Sequence, residues 1–303
     1  MAIRLEVAQD FINQNFPIKL VLKHCKIARS TFYYKPTGGF PGRQSYAVFR
    51  NENHEIISGE DVIVKLKELF GKPFVDYGYY KAYIHLRDNL GYSVSKHSIY
   101  KLMRICNLIR NRYIESSKKG KRNWVTDLIP KSIMPFDYFE FDIKFVWIAG
   151  QNRNMQVLTV IDINSRWNVG QFLSFSITKK DVINLFDKIF QTYNLPKGLC
   201  VRSDNGSQFI ALVVQDYFRN KEVLQEFTKP ATPVQDAHIE SYHSIMESAV
   251  CQRFEFVNIN EAKKTFVEWR EFYNFERIHG GIGFKSPFKY LLQLGIDMKS
   301  TTI

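Results

Sequence analysis

The period of the hydrophobic pattern changes along the chain. Before residue 116, apolar residues recur every three or four positions, as at Val62, Leu66 and Leu69, which is typical of helices with one buried face. From residue 137 onwards, segments that alternate polar and apolar residues are interleaved with further helical segments. Alternation of this kind is typical of strands with one buried side. The pattern therefore predicts a helical front part and a mixed second part.

The second part, residues 131–295, is predicted to be a mixed sheet flanked by helices, an α/β (α+β) fold. Strands are expected over 137–147, 155–162, 167–175, 199–202 and 223–228, and helices over 178–193, 207–219, 234–253 and 260–275. This order is that of a ribonuclease-H-like core, in which three antiparallel strands are extended by parallel ones.

The front part is predicted to be all-α, with a helical segment over 1–36 and a helix-turn-helix-like region over 44–115. In the first, Arg29 would contact DNA phosphate if residues 27–34 form a turn and a short helix, although Ser30 could equally be a plain helix cap. In the second, three basic residues would form a face suited to DNA, although a charged face is often only solvated. They are Lys96, Lys101 and Arg104.

A basic linker is predicted over 116–130, because small, polar and cationic residues dominate there. Its cations, also candidate DNA contacts, are Lys118, Lys119, Lys121 and Arg122. The whole chain has a net charge of +12 and an isoelectric point of about 9.4, which favours a polyanionic partner. No secretory signal and no apolar run of about 18 residues is apparent. We therefore expect a cytoplasmic, nucleoid-associated protein.

Three carboxylates stand where the predicted elements would bring them together. Asp142 lies within the first strand of the core, Asp204 directly follows a short buried strand, and Glu240 lies on a helix after 35 intervening residues. Each alone has a simpler interpretation as a turn or surface residue. Together they would supply the hard oxygen ligands that two-metal phosphoryl transfer needs.

The residues around these carboxylates resemble a known family. The segment SDNGSQF and the later ESYH resemble the D,D-35-E pattern of retroviral integrases and bacterial transposases. The segment 272–287 is similar to the transposase tail "YN..R.H..lg..P", and 161–166 to its "iD..SR" strand. In the front part, RSTFYY and YGYYKAYIHLR are also similar. The chain therefore resembles the second-frame (OrfB) transposases of the insertion sequence three family.

The resemblance implies a transposase that depends on two Mg²⁺ (or Mn²⁺) ions held by Asp142, Asp204 and Glu240. Such an enzyme cleaves at an insertion-sequence end and joins the 3′-hydroxyl to another phosphodiester. It also implies Arg277 and His279 as DNA contacts, a homo-oligomeric synaptic complex, and possible association or fusion with a first-frame protein. The zinc-binding His-His-Cys-Cys pattern of retroviral integrases does not occur here, which favours the bacterial family.

Departures from the family pattern leave two alternatives open. Asp236 stands where the family has Asn, and Glu247 stands where it commonly has Lys or Arg; His243 would share the face of Glu240. A carboxylate at 247 would repel phosphate, so a basic contact must come from elsewhere or be absent. A catalytically decayed DNA-binding protein or repressor and another ribonuclease-H-like nuclease are the alternative functions.

Overall fold

A computed structural model describes residues 2–33, 48–109, 132–228 and 237–298. The chain divides into two compact units, Met1–Ser45 and Tyr46–Ile303. The predicted linker at 116–130, with its four candidate cations, lies outside the described residues, as does Asp236.

The first unit is a small helical body. It contains α1 (Ala2–Asn13), α2 (Ile18–His24) and α3 (Arg29–Phe32). Pro17 is the N-cap residue of α2, because proline cannot continue α1 but is tolerated before a new helix. Its buried residues are few, namely Ala8, Val21, Leu22 and Ile27.

The second unit contains the remaining elements. Its helices are α4 (Gly59–Gly71), α5 (Tyr79–Leu90), α6 (Lys96–Ile105), α7 (Lys179–Thr192), α8 (Leu212–Asn220), α9 (Ala237–Met246), α10 (Ile259–Glu271) and α11 (Pro287–Gln293). Its strands are β1 (Val48–Asn51), β2 (Ile56–Ser58), β3 (Tyr92–Ser93), β4 (Tyr138–Ile148), β5 (Arg153–Asp162), β6 (Asn168–Ser174), β7 (Cys200–Ser203) and β8 (Leu224–Phe227). One π-helical turn follows α9 (Glu247–Cys251), and another follows α10 (Phe272–Glu276).

The larger sheet has the strand order β6-β5-β4-β7-β8. The pairs β4–β5 and β5–β6 are antiparallel, whereas β4–β7 and β7–β8 are parallel. This topology confirms the predicted ribonuclease-H-like fold. The predicted helix over 207–219 begins only at Leu212, because residues 204–210 first form a turn in which Phe209 N–H donates to the Gly206 carbonyl.

Each face of this sheet is covered by its own hydrophobic cluster, as the alternation along β4 requires. Phe139 and Phe141 point into a cluster with α7 and α8. Val146 and Ile148 point into a second cluster, which also contains Trp269 of α10 and residues of the front helices. Residues 48–109 therefore share a core with the sheet.

The prediction that the front region is all-α is wrong. Three short antiparallel strands in the order β2-β1-β3 accompany α4, α5 and α6. Gly91, with φ at +65°, ends α5 in the left-handed region, and its carbonyl accepts from Glu52 N–H. Glycine reaches this conformation without steric cost. The strands are only two to four residues long, too short for a clear alternation in the sequence.

Within the described residues, no helix is both long enough and apolar enough to cross a membrane.

Candidate active site

Two of the predicted carboxylates lie at the same level of neighbouring parallel strands. The register pairs Tyr138 with Cys200 and Glu140 with Arg202. Continuing that register sets Asp142 beside Asp204, which is the first residue after β7. Adjacent strands are about 4.8 Å apart. The continued register therefore brings these two residues to neighbouring positions of the backbone.

A turn that needs a small residue holds the side chain of Asp204. Its Oδ1 accepts a hydrogen bond from Gly206 N–H at 2.9 Å. A Cβ at position 206 would lie 3.0 Å from that oxygen and 2.5 Å from Gln208 Nε2. Asp204 is exposed, so its remaining lone pairs face solvent.

Helix α9 is attached to β4 by three successive polar contacts on one face of the strand. Glu140 Oε2 accepts from Ile239 N–H at 2.7 Å. His243 Nδ1 lies 3.5 Å from Asp142 Oδ2. Lys144 Nζ lies 3.0 Å from Glu247 Oε2. We call these contacts the strand–helix ladder.

The ladder exists because the periods of the two elements match. Two residues of a strand advance about 6.6–6.8 Å, and four residues of a helix advance about 6.0 Å. Strand positions 140, 142 and 144 therefore lie opposite helix positions 239, 243 and 247. The side chain of Glu140 is fully buried, and its carboxylate accepts from a backbone N–H in the first turn of α9, where a negative charge is favourable.

Glu240 follows the first contact of the ladder and lies one helical turn before His243. It is exposed, and the partial burial of its carboxyl raises its pKa. Since α9 is attached to β4 on both sides of this turn, Glu240 is held near the Asp142 end of the site.

The three carboxylates are not gathered into a closed ligand set. Among the residues that the structure describes, no three His, Cys, Asp or Glu side chains form a cluster able to hold a metal ion. Each aspartate instead takes a local donor: Asp142 Oδ1 accepts from Ile143 N–H at 2.7 Å, and Asp204 from Gly206 N–H.

His243 is a neutral residue of the site. Burial, together with the positive charge of Lys144, lowers its pKa to about 4. A neutral imidazole with a proton on Nδ1 can donate to Asp142. His243 therefore lies beside one oxygen of that carboxylate without adding a positive charge.

The structure contradicts the prediction that Arg277 and His279 contact DNA. Their side chains are 2% and 6% exposed. Arg277 forms an ion pair with Asp76, and the ring of His279 packs edge-on against Tyr273 at 4.6 Å. Both residues stabilise the interior instead.

The other tail residues are buried in the same way. Asn274 accepts from Asn168 N–H at 2.8 Å and donates to its carbonyl at 3.1 Å, and Ser286 caps α11. In the "iD..SR" segment, Asp162 is fully buried and accepts from Phe136 N–H at 3.1 Å. These motif residues therefore hold elements together.

The remaining predicted DNA contacts lie in the front part of the chain. Arg29, Lys96 and Arg104 are exposed, and Lys101 is half-buried. Their contact with DNA stays a prediction.

Sequence reasoning missed two residues of the ladder, Glu140 and Lys144. The available signal was their position on the same strand face as Asp142. Their partners are about 100 residues away in the chain, so only the packing of α9 on β4 reveals what they do.

Two family models, each described as an integrase core domain, match residues 134–233 and 221–287. An uncharacterised 39.2 kDa protein of insertion element IS476 from Xanthomonas euvesicatoria is 26% identical over 71% of this chain and 60% of its own length. A putative transposase, InsK of insertion sequence element IS150 from Escherichia coli K12, is 22% identical over 92% of this chain and 95% of its own length. The chain thus spans less than two thirds of the first relative.

Among solved structures, a chain of the simian T-cell lymphotropic virus intasome in complex with PP2A regulatory subunit B56 gamma is similar. It is 13% identical, with a TM-score of 0.46, over 75% of this chain and 73% of its own.

Proposed function

We propose that this chain, which matches two integrase core domain models and is similar to insertion-sequence transposases, is a DDE-type polynucleotidyl transferase. Its reaction would be phosphodiester cleavage at an insertion-sequence end, followed by transfer of the freed strand to target DNA. The observation that supports this proposal is the parallel register of β4 and β7, which, when continued, brings Asp142 level with Asp204. Glu240 lies on the helix that is hydrogen-bonded to the same strand β4.

The donor set fits a hard divalent cation such as Mg²⁺ or Mn²⁺. Three carboxylates on rigid elements offer oxygen ligands, and the two aspartates are half-buried or exposed. Asp142, Asp204 and Glu240 would hold one ion or two. Such ions, when bound, activate an attacking hydroxyl and stabilise the leaving oxygen.

The neighbouring residues keep these carboxylates in place. His243 Nδ1 lies 3.5 Å from Asp142 Oδ2, and the Gly206 N–H donates to Asp204 Oδ1. Glu140 anchors the first turn of α9 and so sets the position of Glu240. Positioning of this kind reduces the reorganisation that the reaction would require.

DNA is the proposed substrate, since the chain carries a net charge of +12 and cations on a protein surface release counterions from phosphates. Joining two element ends to one target requires two active sites, so we propose that more than one copy assembles on DNA. Association with a first-frame protein stays a prediction.

A strand-transfer assay tests this proposal. The substrate is a labelled duplex that carries the terminal sequences flanking the coding region of this chain, with Mg²⁺ or Mn²⁺ added. We expect Glu240→Gln to lower joining by on the order of 10³-fold, as loss of a group that stabilises the transition state does. Its thermal unfolding temperature should remain that of the wild type, because Glu240 is exposed.

The matched control is Glu268→Gln, an exposed glutamate of α10, which should leave joining unchanged. Full activity of Glu240→Gln would contradict the proposed function. Cleavage without joining by the wild-type chain would instead indicate a nuclease.

A further inference from the structure

The last contact of the strand–helix ladder places a cation beside the proposed active site. Lys144 lies two residues after Asp142 on the same face of β4, about 6.6–6.8 Å further along the strand. Its ammonium group is 3.0 Å from the carboxylate of Glu247. The two side chains are 24% and 40% exposed, so the pair is open to solvent next to the carboxylates.

The strand interior fixes the position of this cation. Lys144 pairs with Val157 in the antiparallel ladder of β4 and β5, and Glu247 begins the π-helical turn after α9. That turn is held in place because Ser248 donates a hydrogen bond to Asp76 at 3.0 Å. The backbone of Lys144 is therefore fixed by the sheet, and the backbone of its partner Glu247 is fixed by the π-helical turn.

A cation at this position would favour a bound DNA strand. A phosphodiester brought to Asp142, Asp204 and Glu240 carries a negative charge towards three carboxylates, and Lys144 would add to the attraction that divalent ions supply when bound. Arg202, also close to the site on β7, is already bound to Glu226 through two of its nitrogens, at 2.6 and 3.1 Å. Lys144 contacts Glu247, and the side chain of Glu247 is 40% exposed.

We infer that Lys144 contacts a backbone phosphate of the DNA strand bound at Asp142, and that Glu247 is a positioning residue for its ammonium group. The inference rests on the proposed function. It also explains why a carboxylate at position 247 is compatible with DNA binding. The cation that contacts the phosphate is Lys144 of β4, and no basic residue is needed at position 247. On DNA binding the ammonium group exchanges part of its contact with Glu247 for a phosphate oxygen.

A purely structural ion pair predicts different effects of removing each partner. A pair as exposed as this one contributes little to stability, and removing either partner would have the same small effect. A phosphate contact is asymmetric: removing the lysine weakens DNA binding, whereas removing the carboxylate does not.

The first experiment measures the salt dependence of DNA binding by the full-length chain. The probe is a fluorescent 30-base-pair duplex of arbitrary sequence, titrated at several KCl concentrations in EDTA. Lys144→Met should bind about three- to tenfold more weakly at low salt, and the slope of log K against log[KCl] should fall by about one. Glu247→Gln should keep the wild-type slope and bind equally or more tightly.

A charge exchange is the sharper test. Lys144→Glu alone should weaken binding at least about tenfold, because it adds repulsion as well as removing a contact. The double variant Lys144→Glu/Glu247→Lys returns a cation to the same gap and should recover to within about threefold of the wild type. Thermal unfolding of every variant is measured alongside, and all should remain folded.

Unchanged slope in Lys144→Met, or equal weakening by Glu247→Gln, would overturn the inference, as would a double variant no better than Lys144→Glu. These measurements need neither metal nor catalysis. If Glu240→Gln remains active in strand transfer while Lys144→Met shows the expected loss of DNA binding, only the proposed function is contradicted.

Discussion

Two polar clusters of this chain differ in what surrounds them. The carboxylate site consists of Asp142 in β4, Asp204 just after β7 and Glu240 on α9, and these residues are half-buried or exposed. The tail cluster consists of Tyr273, Asn274, Arg277, His279 and Ser286, which are at most 6% exposed. Both carry the residue types of catalytic sites, but only the first is open to a substrate.

The difference shows how one fold uses charge for two purposes. In the tail cluster, Arg277 and Asp76 satisfy each other in the interior. Burial alone would raise the pKa of Asp76, and the guanidinium of Arg277 more than offsets this, so the pKa lies below its ordinary value. In the carboxylate site, by contrast, the carboxylates are half-buried or exposed. Stability is therefore concentrated in one cluster and reactivity in the other.

The two clusters are connected through α9 and the π-helical turn that follows it. Asp76 accepts from Ser248, one residue after Glu247 of the strand–helix ladder. Arg253 of the same segment donates to the Val75 carbonyl at 2.6 Å. The tail cluster thus holds the C-terminal end of the helix that carries Glu240.

Of the substitutions that distinguish the two clusters, Arg277→Met is expected to have the largest effect, which is on the free energy of unfolding. Removing the guanidinium takes away the ion-pair partner of the buried Asp76 carboxylate, which should lower the free energy of unfolding by about 3–5 kcal/mol. Urea denaturation followed by fluorescence measures it. The wild-type pair contributes this stability above the unfolded pKa of 3.8, and it is lost as the pH falls further.

A double replacement is the control for that prediction. Asp76→Leu combined with Arg277→Met removes both charges and should recover much of the loss. If Arg277→Met instead unfolds at the wild-type urea concentration but fails to bind DNA, the tail cluster is a DNA contact after all and the comparison is wrong.

A smaller effect is expected at the turn that holds Asp204. In Gly206→Ala the new Cβ would lie 3.0 Å from Asp204 Oδ1. Gln208 can move aside, but the carboxylate is displaced, so strand transfer should fall about tenfold. The free energy of unfolding should change by less than about 1 kcal/mol.

The control for this turn is Gly71→Ala, where a Cβ meets nothing within 4 Å; it should leave strand transfer unchanged. A Gly206→Ala variant with unchanged strand transfer would show that the Asp204 side chain need not be held by this turn.

The sequence predicts the strands and the positions of the three carboxylates because their signals are local. Alternation around Asp142 and the turn residues after Asp204 can be seen within a few positions. The burial of Arg277 has no local signal, since its partner Asp76 is 201 residues away and an arginine in a polar segment resembles a surface residue. The same holds for Lys144, whose partner becomes apparent only when α9 packs on β4.

The central claim, that Asp142, Asp204 and Glu240 hold divalent metal, is tested most directly by crystals soaked in Mn²⁺ and measured for anomalous scattering. The account predicts an anomalous peak within about 2.0–2.6 Å of carboxylate oxygens of Asp142 and Asp204, weakened or lost in Asp204→Asn. A peak elsewhere, or none at these residues at saturating Mn²⁺, would contradict it.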